Sequence, residues 1–125
     1  MNLSQRQLDT KVKIIKIAEA LGVDPIWALS IAMAESSLGQ NQLSHTFCKG
    51  VFQMSSIAMK DLLQEMEKQD DDLIDIACGV AFLYLLIRRH KTIENATGHF
   101  CDPDDIKFYI PRVLDYMKVF RDAQI

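Results

Sequence analysis

The stretch ALGVDPIWALSIAMAESSLG, residues 20–39, contains both the start and the end of one helix. Asp24 followed by Pro25 is a strong start signal, because an Asp side chain caps the free amides of a first turn and Pro fits the first helical position. Gly39 follows the apolar run and is typical of a helix end, since glycine adopts the left-handed conformation at little cost. The stretch therefore predicts a helix from Pro25 to about Ser37.

Apolar residues on both sides of this stretch also recur at helical spacing. Residues 5–21 place them at three- and four-residue steps and stop at Gly22. The segment from Leu73 to His90 is apolar on nearly every side until Arg88, so we expect it to be the buried central helix of the fold. The remaining predicted segments are a helix from Ile57 to Met66, a helical turn after Thr92, a short helix from the Asp102–Pro103 start signal to Tyr109, and, after a break, a last helix from Pro111.

No segment shows the period-two alternation of a strand, so the predicted fold is all-α. The 125 residues fit one domain, which we take to span residues 1–125. Hydrophobic residues make up 49% of the chain and charged residues 25%, a composition that excludes disorder and favours a packed core.

Charge and hydropathy exclude two classes of partner. The net charge is −3, so no broad basic surface is available for nucleic acid. The longest apolar run, Leu73 to Ile87, contains Asp75 and is shorter than the roughly 20 residues that span a bilayer. We therefore expect no membrane insertion. The first residues, MNLSQRQLDTKVK, lack the apolar stretch of a secretion signal, so we expect the protein to be made in the cytoplasm without an export leader.

The three cysteines, Cys48, Cys78 and Cys101, are an odd number and show no CxxC spacing. This pattern argues against a disulfide framework and against a zinc site, so we expect free thiols and no metal site. Cys78 lies in an apolar run and should be buried, whereas Cys48 stands beside Lys49 and should react faster.

Glu35 is the residue most suited to acid–base chemistry. It lies near the end of the helix predicted from Pro25, and helical spacing places it on the same face as Trp27 and Ile31. We therefore expect a half-buried carboxyl. No Lys or Arg occurs between Lys16 and Lys49, so no cation close in sequence pairs with it, and such a carboxyl can donate a proton.

Four motifs in order resemble the catalytic domain of lytic transglycosylases, the soluble-transglycosylase relatives of goose-type lysozyme. The family has a helix that starts in a GVDP-like turn and ends in ES, then a GLMQ-like motif, a helix of the form NIxAGxxYL, and a late Tyr followed closely by Val. The matching segments are residues 20–39 with Glu35 and Ser36, Gly50 to Gln53, IDIACGVAFLYLL at 74–86, and FYIPRVL with Tyr109 and Val113.

The resemblance implies a lysozyme-like helical fold and cleavage of peptidoglycan glycan strands by a monomeric enzyme without a cofactor. Glu35 would be the sole catalytic acid and base. The substrate-binding candidates are Ser36, Phe52, Gln53, Phe100 and Tyr109.

The sequence departs from the family at its third motif, which usually has a Tyr followed by Asn or another polar residue. The nearest match is Phe100 followed by Cys101, so we expect the Tyr hydroxyl that approaches the catalytic Glu to be missing.

The number of carboxylates in the site distinguishes hydrolysis of a glycosidic bond from cleavage by a lytic transglycosylase. Hydrolysing glycosidases use two, roughly 5 to 9.5 Å apart. Asp24 lies at the other end of the same predicted helix, about 16 Å from Glu35, and cannot be the partner. A single acid–base residue suits a lytic transglycosylase, which closes a 1,6-anhydro ring on N-acetylmuramic acid. Asp102 is the candidate second carboxylate if the enzyme instead hydrolyses the bond as a muramidase.

Two non-enzymatic readings remain open. A catalytically lapsed glycan-binding or assembly module would share the same fold. A helix-turn-helix module is favoured by IAEALGVDPIWALSI, but its recognition helix would carry no Lys or Arg for phosphates. For the enzyme, a missing leader favours release at lysis, delivery by a phage virion, or dedicated export to the cell wall.

Overall fold

The computed structural model describes residues 1–39, 64 and 73–123, which form five α-helices and one 3-10 turn and include no strand. The all-α prediction is confirmed for this part of the chain. The helices are α1 (Gln5–Leu21), α2 (Pro25–Ser36), α3 (Leu73–His90), α4 (Ile93–Phe100) and α5 (Ile106–Asp122), with the 3-10 turn at Pro103–Asp105. The helix predicted from Ile57 to Met66 lies outside the described residues except for Gln64, which is helical.

The predicted helix boundaries between residues 5 and 25 are confirmed, and capping explains them. Ser4 accepts a hydrogen bond from the Gln7 amide, and the Gln7 side chain accepts one from the Ser4 amide, which satisfies two free donors at the start of α1. Gly22 ends α1 in the left-handed conformation with a φ of 72°. At the start of α2, the Asp24 carboxylate accepts from the Ile26 amide at 2.9 Å.

The end of α2 differs slightly from the prediction. The helix ends at Ser36, and Ser37, Leu38 and Gly39 then form a turn whose φ angles are 50°, 53° and 85°. We call residues 37–39 the left-handed turn. Gly39 is required here for a second reason, because a Cβ at this position would lie 3.1 Å from Oγ1 of Thr10.

The predicted break before Pro111 is wrong. The Asp102–Pro103 signal starts only the 3-10 turn, and α5 then runs without interruption from Ile106, with Pro111 inside it. Pro111 removes one amide donor, which leaves the Lys107 carbonyl without its helical partner. Both residues are exposed, so water can solvate that carbonyl and the helix continues.

The buried central helix is α2, not the segment from Leu73 to His90 that we expected. Six of its residues are buried, and the indole of Trp27 and the side chain of Leu29 are almost completely so. α2 packs on α1 and α5, whereas α3 packs on α1 and α4. In α3 only Val80, Leu83 and Leu86 are buried, whereas residues 74–79 are half-buried. No described helix is long and apolar enough to cross a membrane.

Candidate active site

Glu35 lies in the last turn of α2, and its side chain is exposed. The prediction of a half-buried carboxyl is therefore wrong. Trp27 and Ile31 on the same helix face are buried as expected, but the helix ends one residue after Glu35, and the Glu35 side chain itself is exposed. The carboxyl stands at the border between the core and solvent.

Tyr109 of α5 donates a hydrogen bond from its hydroxyl to Oε1 of Glu35, with an oxygen–oxygen distance of 2.8 Å. The two residues are 74 positions apart in the sequence, so the contact depends on the packing of α5 against α2. Burial raises the pKa of Tyr109 far above its usual value, and the hydrogen bond to Glu35 raises it further. The phenol is therefore protonated at every physiological pH and acts as a hydrogen-bond donor.

Phe100, the last residue of α4, lies beside this pair. Its ring is nearly parallel to that of Tyr109, with an interplanar angle of 10° and ring centroids 6.5 Å apart. The expectation that Phe100 leaves the carboxyl without a Tyr hydroxyl is wrong, because Tyr109 supplies that hydroxyl from another helix. Phe100 instead contributes an apolar ring to the surroundings of Glu35.

A cavity of about 170 Å³ lies next to these residues, between α1, α2 and α3. Glu35, Ser36 and Phe100 line it near the end of α2. The rest of its wall is mainly apolar, and small residues keep the space open between the helices. The described residues of that wall are Thr10, Ile14, Ala28, Ile31, Ala32, Gly39, Asp75, Ile76, Gly79, Val80 and Leu83.

Asp75 is a site residue that the sequence analysis did not identify. It lies in the first turn of α3 and lines the same cavity as Glu35. The available signal was its position as the first polar residue of the segment that resembles NIxAGxxYL. Asp102, the predicted second carboxylate, is exposed and does not line the cavity; its side chain accepts from the Asp104 amide and caps the 3-10 turn.

Ser36 has a structural role in the left-handed turn. Its hydroxyl donates to the Ala32 carbonyl at 3.2 Å and accepts from the Gly39 amide at 3.0 Å. Helix α1 holds the same turn, because Arg6 donates to the Gly39 carbonyl and Gln7 donates to the Ser37 carbonyl. These contacts determine where α2 ends and hence where Glu35 stands.

Several predicted residues lie outside the described part of the chain. They are Cys48, Gly50, Phe52 and Gln53. The structure therefore neither brings Phe52 and Gln53 to Glu35 nor separates them from it, and their substrate-binding roles stay predictions.

The prediction of three free thiols is wrong, because Cys78 is disulfide-bonded. The local sequence pattern failed here because a disulfide depends on which segments the fold brings together. Cys101 is free and half-buried. Burial raises the pKa of its thiol, and the negative charges of Asp105, Glu35 and Asp102 raise it further. In the part of the chain that the structure describes, no group of three His, Cys, Asp or Glu residues could hold a metal ion.

Comparisons with protein-family models, with curated proteins and with solved structures return no match to this chain.

Proposed function

We propose that the protein is a lytic transglycosylase that cleaves the β-1,4 bond between N-acetylmuramic acid and N-acetylglucosamine in peptidoglycan. The observation that carries the proposal is the hydrogen bond from Tyr109 to Glu35 beside a cavity. The Glu35 carboxyl is exposed, so a substrate can reach it, and a hydrogen bond from a tyrosine of another helix holds it in place. A group that transfers protons is expected to combine these two properties. The order of the four family-like motifs supports the same reaction, and with it a lysozyme-like fold.

In the proposed mechanism, protonated Glu35 donates its proton to the glycosidic oxygen while the bond from that oxygen to C1 of N-acetylmuramic acid breaks. The released N-acetylglucosamine end takes the proton, and positive charge develops at C1. The Glu35 carboxylate then removes the proton from the C6 hydroxyl, whose oxygen bonds to C1. The product is a 1,6-anhydro sugar, no water is consumed, and Glu35 is again protonated.

The chain's own residues have separate tasks in this mechanism. Tyr109 holds one carboxyl oxygen of Glu35 and leaves the other free to reach the substrate. Phe100 excludes water on one side of the pair. The left-handed turn fixes the end of α2 and therefore the position of the carboxyl.

A muramidase that hydrolyses the same bond is the second candidate, and Asp75 favours it. Asp75 lines the cavity that Glu35 also lines, and in this alternative its carboxylate would activate a water molecule or stabilise positive charge at C1. In this alternative the second carboxylate is Asp75, and not Asp102 as the sequence analysis predicted. A lapsed glycan-binding module is the third candidate.

The disulfide at Cys78 supports a site of action outside the reducing cytosol, because disulfides persist mainly in oxidising compartments. Action on the cell wall after lysis, virion delivery or dedicated export fits this feature.

The deciding experiment is mass analysis of the muropeptides that the purified protein releases from sacculi. We expect products that end in 1,6-anhydro-N-acetylmuramic acid and are lighter by one water than hydrolysed products. Glu35→Gln should abolish release while the protein stays folded, and Glu94→Gln, an exposed carboxylate in the first turn of α4, should leave it unchanged.

The outcomes separate the three candidates. Reducing-end N-acetylmuramic acid that disappears in Asp75→Asn would establish the muramidase. Release of products by Glu35→Gln would remove Glu35 from the mechanism. Binding of sacculi without any release by the wild-type protein would establish the lapsed module.

A further inference from the structure

Three aromatic rings form a continuous row that ends at Glu35. Tyr109 contacts the carboxyl, the Phe100 ring lies 6.5 Å from that of Tyr109, and the Phe82 ring of α3 lies 5.7 Å from that of Phe100. We call Phe82, Phe100 and Tyr109 the aromatic row. Its members come from α3, α4 and α5, so no single helix pattern produces it.

The outer end of the row is open to solvent. Phe82 is 42% exposed, whereas Phe100 and Tyr109 are half-buried. Removing a Phe ring from water is favourable, so an exposed ring that continues two packed rings is available to cover an apolar face of a ligand.

We infer that the aromatic row is a sugar-binding subsite, in which Phe82 stacks on a pyranose ring of the glycan strand at a distance from the bond that is cleaved. This inference rests on the proposed function and extends it to a further binding residue. Its occupant is the glycan strand, because the row is continuous with Glu35, the proposed acid and base, and its three members are uncharged aromatic rings.

The chemistry of β-linked sugars fits such a row. Their axial C–H bonds form a flat, apolar and weakly positive face, and the face of an aromatic ring carries negative charge. The two centroid distances, 5.7 and 6.5 Å, lie in the usual range for packed aromatic side chains, so each ring of the row contacts the next. A sugar stacked on Phe82 would therefore lie at the exposed end of a row of packed rings whose other end contacts Glu35.

The experiment measures binding of soluble glycan strands, freed of their stem peptides and separated by length, to the Glu35→Gln protein. Three variants are made in that background. Phe82→Leu keeps an apolar side chain but loses the flat ring, Phe82→Tyr keeps the ring, and Phe108→Leu removes a phenylalanine that is 74% exposed but forms no ring contact within the described residues.

We expect Phe82→Leu to raise the Kd for long strands about tenfold and to change the Kd for a disaccharide little. Phe82→Tyr and Phe108→Leu should bind long strands as the background protein does. Equal binding by Phe82→Leu and the background would overturn the inference, as would equal losses in Phe82→Leu and Phe108→Leu or an absence of strand binding.

The strand-binding experiment can be distinguished from a test of the proposed cleavage reaction, because binding and product release are measured separately. A wild-type protein that releases no products while Phe82→Leu weakens strand binding would remove the transglycosylase and support the subsite. Normal release of anhydro products together with unchanged strand binding by Phe82→Leu would retain the enzyme and remove the subsite.

Discussion

Tyr109 and Glu35 illustrate how a single hydrogen bond can prepare a surface carboxylate for chemistry. An exposed Glu side chain samples many rotamers, and the 2.8 Å bond from the Tyr109 hydroxyl restricts that freedom. Catalytic rates depend steeply on such positioning, because a small displacement of a reacting group lowers the fraction of productive encounters.

The first prediction is that Tyr109→Phe lowers kcat for sacculus cleavage by about 10- to 100-fold, since the ring remains but the carboxyl is no longer held. Binding of glycan strands should change little. Tyr116→Phe, a half-buried tyrosine on the same helix, is the matched control and should retain full activity. An unchanged kcat in Tyr109→Phe would show that the hydrogen bond has no part in the reaction.

The residues of the site were partly predictable from the sequence. Glu35 was identified from its helix position, and both Phe100 and Tyr109 were named as candidates. Their mutual contacts were not predictable, because the pairs come from different helices and a local pattern carries no information about which helices pack together. Asp75 was missed for the same reason: only the fold brings the start of α3 to the cavity beside Glu35.

At the scale of the helices, boundaries with a local chemical cause were predicted well. Gly22 and the Asp24–Pro25 pair act on adjacent backbone groups, and the structure follows them. The uninterrupted course of α5 through Pro111 and the partial exposure of α3 were not predicted. Both depend on solvent access to particular faces, which the sequence pattern alone does not reveal.

The second prediction concerns the link between α2 and α4. The indole N–H of Trp27 donates to Oγ1 of Thr97 at 2.8 Å, and both side chains are buried. Thr97→Val keeps the shape but leaves the indole donor without a partner, so the free energy of unfolding should fall by about 1 to 3 kcal/mol. Chemical denaturation measures this change.

A double-mutant cycle provides the control for that link. In a Trp27→Phe background the indole donor is absent, so adding Thr97→Val should cost clearly less than it does in the wild-type protein. Equal costs in the two backgrounds would contradict an energetic coupling between the side chains.

The third prediction concerns the junction of α3 and α4, where the rings of His90 and His99 are stacked with centroids 3.6 Å apart. Desolvation lowers the pKa of His90 below its ordinary value of 6.5, and the positive charges of His99 and Arg89 lower it further. The unfolded chain therefore binds a proton at His90 more readily than the folded protein does. The contribution of His90 to stability falls as the pH drops through about 6.5 and below.

Melting temperatures measured from about pH 7.5 down to about pH 5 test this sign. His90→Gln should lose less stability than the wild-type protein over that range, because the titrating group is gone. Parallel curves for the two proteins would exclude a contribution from His90.

At the scale of the whole molecule, the described helices form a bundle in which α2 has the most buried residues, with a cavity between α1, α2 and α3. α2 packs on α1 and α5, and the cavity separates it from much of α3. The disulfide at Cys78 lies on α3, so it ties the helix on the far side of the cavity to another part of the chain. Its loss should affect global stability.

The fourth prediction is that reduction lowers the free energy of unfolding by about 2 to 4 kcal/mol, the usual effect of removing a native disulfide. Cys78→Ser should show the same loss without reductant and no further loss with it. Cys101→Ser is the matched control, because Cys101 is free, and it should respond to reductant as the wild-type protein does. A melting temperature that is insensitive to reductant in the wild-type protein would contradict the disulfide.

The separation of 74 positions between Glu35 and Tyr109 also means that the ribosome adds Glu35 well before it adds Tyr109. A chain is synthesised from its N-terminus, and short-range helix pairs form faster than contacts between distant segments. Helices α1 and α2, joined by a short turn, can place Glu35 while the ribosome is still adding residues. The tyrosine that holds the carboxyl arrives only with α5. The pair therefore forms only after α5 has been synthesised, and a nascent or truncated chain that lacks α5 displays the acid without the group that orients it.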